Sequence, residues 1–139
     1  MNNSDRLIYI LDSFALLAYM EGEAGAEKVR SILRQAESGQ ADIWLSIVNY
    51  GEILYITERE RGIAATHKAI GMVDQLSIRV AEADRVLTFA AAHVKAQYAV
   101  SYADAFAIAL AKSVGGQVVT GDPEFEKVES LIQVQWIAR

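Results

Sequence analysis

Apolar residues in this chain pass repeatedly from short continuous runs to helical spacing, a pattern that predicts strands separated by helices. Residues 7–11 form an apolar run that reads as a fully buried strand, and 13–20 read as a helix set almost directly on its end. Residues 24–38 place Val29, Ile32, Leu33 and Ala36 on one helical face, with Gly39 as the stop. A second strand is predicted at 43–45, followed from Ile47 by a helix that ends at Gly62. Ile63, Ile70, Val73 and Leu76 mark another helix, and 78–81 a third strand. Ala83, Val86, Leu87, Ala90, Ala91, Val94 and Tyr98 fall on i, i+3, i+4, i+7 positions, predicting the buried face of a further helix. Residues 101–114 are apolar nearly all round, as in a helix enclosed by the interior, and Gly115-Gly116 ends it. The remainder reads as a strand over 117–120, a helix over 123–131 and a last strand over 132–137.

Strands alternating with long helices imply an α/β fold, a three-layer α/β/α sandwich around a central, mainly parallel sheet. Ligands of such sheets lie beyond the carboxyl ends of the strands. Asp12 and Asp122 closely follow strand ends and are expected to project there, with Glu52 and Asp104 reaching the same crevice from helix faces.

These four carboxylates each interrupt an uncharged stretch: Asp12 between Arg6 and Glu21, Glu52 between Asp42 and Glu58, Asp104 between Lys95 and Lys112, and Asp122 after the run that follows Lys112. Three have a structural explanation. Asp12 could cap the helix beginning at Ser13, Asp122-Pro123 is a good Ncap-N1 pair, and Ser101-x-x-Asp104 resembles a capping box. Glu52 does not, because its helical neighbours Val48, Asn49, Tyr55 and Ile56 include no cation. Capping also leaves the sparseness of neighbouring charge unexplained. Four anions sharing a cleft would repel by about 4 kcal/mol for each pair at 4 Å and an effective dielectric of 20. Bound cations relieve that repulsion, and hard oxygen ligands suit Mg²⁺ or Mn²⁺, one or two ions. Such an ion eases deprotonation of water and stabilises the attacking and leaving oxygens of a phosphodiester, so no histidine base is needed. His67 and His93 read as ordinary helix residues, while Ser13 and Thr120 are placed either to orient water or to cap.

At 139 residues the chain fits a single domain, 1–139, and its 53% apolar content suits a globular core; no linker or repeat stands out. The absence of cysteine excludes disulfides and thiolate metal sites and is compatible with a reducing, cytoplasmic setting. Arg6 before the apolar stretch at 7–20, with Ala24-Gly-Ala26 beyond it, imitates a signal peptide, but Asp12 in its middle argues against one. No apolar run reaches the length a membrane helix needs. The net charge of −5 lacks the basic footprint of a nonspecific nucleic-acid binder, so any such role requires metal-mediated phosphate binding, a local basic patch or another subunit.

The segments Tyr9-Ile-Leu-Asp-Ser13, Asn49-Tyr-Gly-Glu-Ile-Leu54, Ser101-Tyr-Ala-Asp-Ala-Phe-Ala107 and Val119-Thr-Gly-Asp-Pro-Glu-Phe125 resemble the PIN-domain family. The resemblance is greatest to its small VapC-type toxins of bacterial toxin-antitoxin pairs. It implies a Mg²⁺- or Mn²⁺-dependent endoribonuclease acting on RNA, with Asp12, Glu52, Asp104 and Asp122 as an acidic quartet. It further implies a homodimer and a cognate VapB-like antitoxin. The acidic balance departs from the mildly basic surface expected of an RNA cleaver, and Gly121 stands where relatives often carry a polar residue. Arg59, Arg61 and Lys112 are candidates to hold RNA phosphates, against the ordinary reading as solvated charges. Phe14, Leu16, Leu17 and Tyr19, with Leu54 and Tyr55, supply either core or a partner surface. A catalytically silent PIN-like metal- or partner-binding module is the alternative to the enzyme. A phosphoryl-transfer receiver or hydrolase is disfavoured, since no adjacent acidic pair follows the first strand and no GxxxxGK[ST] loop is present.

Overall fold

Residues 6–138, which the computed structural model describes, build one five-stranded sheet in which the strands lie in the order third, second, first, fourth, fifth, with every neighbouring pair parallel. In chain order the elements are β1 (Leu7–Leu11), α1 (Ser13–Glu21), α2 (Ala26–Glu37), β2 (Ala41–Ser46), α3 (Ile47–Arg61), α4 (Ile63–Gln75) and β3 (Arg79–Ala81). There follow α5 (Arg85–Gln97), α6 (Tyr102–Val114), β4 (Gln117–Thr120), a 3-10 helix (Pro123–Val128) and β5 (Val134–Trp136).

The sheet separates two apolar cores, and period-2 alternation assigns side chains to them. Ile10 and Val118 face the core made with α5, α6 and the 3-10 helix, whereas Tyr9, Leu11 and Val119 face the one made with α1 to α4. Burial on both faces is why β1 is a continuous apolar run. Every residue of α6 from Asp104 to Ala111 is buried, and its alternate alanines allow that close enclosure. Gly116 admits the same crowding before β4, since a Cβ there would lie 2.6 Å from Ile10 Cδ1 and 2.9 Å from the Ile8 carbonyl oxygen.

The chain runs outward from β1 through β2 to β3, then returns to β4 on the other side of β1. The gap between the carboxyl ends of β1 and β4 is therefore the topological switch point, where parallel sheets open a crevice. Pairing of Leu11 with Val119 is continued by the Asp12 amide, which donates to the Val119 carbonyl at 3.3 Å.

Several expectations are corrected. On α5 only Leu87, Ala91 and Val94 are buried; Ala90 is exposed, and Val86 is 79% exposed because α5 packs on α6 through a narrower stripe than the full apolar face. The segment at 123–131 is not an α-helix but the shorter 3-10 helix, whose three-residue repeat turns both Phe125 and Val128 into the core. β2 is longer than 43–45, while β3 and β5 are shorter than 78–81 and 132–137. Of the proposed apolar surface, Leu16 is core, Leu17, Tyr19 and Leu54 are half-buried, and Phe14 and Tyr55 stand exposed. No helix among the described residues is long and apolar enough to cross a membrane.

Phe125 is fully buried and anchors the turn that carries Asp122 and Glu124. Phe125→Ala is expected to lower stability by about 3–5 kcal/mol, read as a lower urea midpoint with unchanged slope.

Candidate metal centre

Asp12 immediately follows β1 and is almost wholly buried. One carboxylate oxygen accepts from the Ala15 amide at 2.8 Å and so caps α1; the other accepts from the hydroxyl of Thr120, at the end of β4. The Thr120 hydroxyl accepts in turn from the Asp122 amide at 2.9 Å, and Asp122 Oδ1 accepts from the Glu124 amide at 3.0 Å to cap the 3-10 helix. A single hydroxyl thus links acids from opposite ends of the chain. Asp104 sits in the first turn of α6, its amide donating to the Ser101 hydroxyl at 3.1 Å. Capping and clustering therefore occur together at three of these acids.

Glu52 lies half-buried on α3, and the Tyr55 hydroxyl donates to its Oε2 at 3.4 Å. One turn earlier, the fully buried Asn49 fastens α3 to α1. Its Nδ2 donates to Ser13 Oγ at 3.1 Å, and Ser13 Oγ donates to the Asn49 carbonyl at 3.3 Å. The Ser13 hydroxyl is thereby turned to α3, and Asn49 Oδ1 is a buried acceptor with no hydrogen-bond partner among the described residues.

Electrostatics ties the acids together. Burial is the main cause that pushes the Asp12 carboxyl up to about 8, the charges of Asp104 and Asp122 adding to it against the hydrogen bonds from Thr120 and Ala15. Burial likewise leads in raising Asp104 to about 7, aided by the charges of Asp122 and Glu52 and a hydrogen bond with Glu124, and opposed by Ser101. Each member of the expected quartet thus feels the charge of at least one other: Glu52 of one, Asp12 and Asp122 of two, and Asp104 of all three.

Glu124 is the acid that the sequence reading passed over. One oxygen from each of Asp104, Asp122 and Glu124 lies within 4.8 Å of the others. Oxygens about 2.1 Å from an octahedral Mg²⁺ lie roughly 3–4 Å apart, so this all-carboxylate donor set fits a hard divalent ion. Glu124 was obscured by its place in a charged run with Glu126, Lys127 and Glu129. Asn49 carried no sign of its role, since it lies in the first turn of α3, where a polar residue is ordinary.

Of the three candidate phosphate contacts, two lie in the last turn of α3 and one in the last turn of α6. Arg59 lies over the Tyr55 ring with its guanidinium carbon 5.3 Å from the centroid, and Arg61 pairs with Glu21 at 3.6 Å. Lys112 is exposed in the last turn of α6, about 12 Å along the axis from Asp104. His67 and His93 are both exposed.

The PIN domain family model matches residues 9–131. The chain belongs to the PIN domain family. No curated protein sequence matches it significantly. Among solved structures, it is similar to VapBC2 from Rickettsia felis bound to a DNA fragment from its promoter, with TM-score 0.71 and 13% identity, covering 94% of this chain and 98% of that one. DNA-bound VapBC from Salmonella typhimurium gives TM-score 0.69 and 18% identity over 95% and 99% of the two chains. VapC20 of Mycobacterium tuberculosis, a toxin that cleaves the sarcin-ricin loop, gives 0.67 and 19% over 85% and 92%. At these identities the likeness carries the PIN fold.

Gly121, the departure noted within the PIN motif, has a steric cause. A Cβ there would lie 2.3 Å from Phe14 Cε1, so the Phe14 ring rests on the backbone between Thr120 and Asp122. Gly121→Ala is expected to cost about 1–3 kcal/mol, and most of that loss should vanish in a Phe14→Ala background, as a double-mutant cycle in urea would reveal.

Asp12 and Asp104 hold protons up to about 8 and about 7 in the folded chain, against 3.8 for an ordinary Asp. The metal-free native state therefore binds more protons than the unfolded state across that interval. Stability from these groups is full below about pH 4 and is lost as pH rises through their folded values. Urea midpoints of metal-free protein are expected to fall between about pH 5 and about pH 8.5; a flat or rising profile contradicts the buried-acid assignment.

Proposed function

We propose that this PIN domain is a Mg²⁺- or Mn²⁺-dependent endoribonuclease, the toxin of a toxin-antitoxin pair with a VapB-like antitoxin. Two observations support this reading: oxygens of Asp104, Asp122 and Glu124 lie close enough to share one ion, and burial together with neighbouring carboxylates raises the Asp12 and Asp104 carboxyls. Asp104, Asp122 and Glu124 would hold an ion, with Asp12 and Glu52 completing the acidic surround. When bound, the ion supplies positive charge to the phosphodiester in its transition state and makes water more acidic. The chain's own groups do the rest. Thr120 keeps Asp12 and Asp122 in register, Ser101 fixes the first turn of α6 beneath Asp104, and the Asn49–Ser13 pair holds α3 so that Glu52 borders the same cleft.

The solved structures that this chain resembles include a toxin-antitoxin complex from Klebsiella pneumoniae and VapBC-5 from Mycobacterium tuberculosis, a member of the VapBC family of toxin-antitoxin systems. That supports a cognate antitoxin, and a homodimer accompanies the proposal as in the sequence reading.

Purified protein incubated with structured RNAs in Mn²⁺ or Mg²⁺ is expected to cleave, and EDTA to stop it. Asp104→Asn should reduce turnover about a hundredfold or more while raising the stability of the metal-free fold, because a buried charge is removed. Manganese binding by calorimetry without RNA cleavage would instead identify a silent metal-binding module.

A further inference from the structure

We infer that the exposed ring of Phe14 is a stacking face that admits unpaired RNA bases beside the carboxylate cleft, with Tyr55 a second such ring next to Glu52. The inference rests on the nuclease reading and deepens it, naming the side chains on which a base would lie.

Both rings lie at the acids and outside the core. Phe14 is 40% exposed although it follows Asp12-Ser13, and its ring is seated on Gly121, between the residues that bear the Thr120 hydroxyl and the Asp122 carboxylate. Tyr55 is 51% exposed, with its hydroxyl on Glu52 and the Arg59 guanidinium over its ring. A ring whose seat requires a glycine is held in place before ligand arrives, so little ordering accompanies stacking.

Charge makes such contacts necessary. The chain carries a net charge of −5, and many of its guanidinium groups already face acids: Arg6 and Arg79 pair with Asp42, Arg30 with Glu27 and Arg61 with Glu21. Phosphate neutralisation, the usual source of RNA affinity, is correspondingly weak here. Base-on-aromatic stacking is independent of protein net charge and tolerant of sequence, but it requires an exposed base face. An A-form duplex keeps its base faces stacked internally, so paired RNA offers these rings nothing.

The test uses the full chain in Ca²⁺, so that binding can be read without turnover, with a 12-nucleotide RNA containing 2-aminopurine, alone or annealed to its complement. Wild-type protein is expected to quench the probe and to bind the unpaired RNA about tenfold more tightly than the duplex, with a salt slope shallower than that of two phosphate contacts. Phe14→Leu should weaken unpaired binding about tenfold and abolish the quench, Phe14→Trp should retain both, and Phe89→Leu, on the exposed side of α5, should change neither. Wild-type affinity in Phe14→Leu overturns the stacking face, as does failure of wild-type protein to bind the unpaired RNA. A change of sedimentation in Phe14→Leu would also overturn it, assigning the ring to a protein interface. Mn²⁺ calorimetry and cleavage of cellular RNA are read in parallel. If those succeed while the ring variants bind normally, stacking fails and the nuclease stands. If the rings bind RNA without Mn²⁺ uptake or cleavage, the nuclease reading fails instead.

Discussion

Mutual repulsion among carboxylates at the switch point is opposed by the parallel pairing of β1 with β4, and the rest of the molecule is arranged around that opposition. The two strands are distant in sequence, yet their register brings Asp12 beside Thr120, whose side chains bond across 108 positions. The hydroxyl suits this position because it can donate to one acid and accept from the backbone of another without adding charge. Helix starts supply further amide donors to Asp12 and Asp122, and two of the acids keep protons in the absence of a cation. An ordinary buried ion pair would have placed an arginine here. Instead Arg59 and Arg61, on α3 with Glu52, are engaged by Tyr55 and Glu21.

The layered architecture was legible wherever an element is buried on all sides. β1 appears as an unbroken apolar run and α6 as a helix apolar nearly all round, because the sheet and helical layers bury Tyr9 to Leu11 and Asp104 to Ala111. Periodicity said less where contact is one-sided. The apolar positions of α5 formed a consistent helical stripe, but sequence spacing cannot tell a stripe that meets α6 from one that meets water, and Val86 falls on the wet side. Pro123 announced a helical turn without revealing its pitch; the need to bury both Phe125 and Val128 decided that.

The site divides in the same way. Asp12, Glu52, Asp104 and Asp122 stood out because each is an isolated charge in apolar surroundings, and resemblance to the PIN motifs grouped them. Glu124 had neither mark, since its neighbours in sequence are charged and its approach to Asp104 exists only after β4 and α6 are packed. Asn49 and the seating of Phe14 on Gly121 are likewise contacts between elements, invisible to any window along one of them.

Asp12 carries two duties on separate oxygens, one fastening the first turn of α1 and the other facing Thr120. An asparagine retains an oxygen for the helix while surrendering the anion, whereas alanine surrenders both. A lineage drifting away from catalysis could thus shed charge at this position through amidation of the side chain with its architecture undisturbed. Among relatives that no longer turn over substrate, an amide in place of this acid is the footprint such drift would leave.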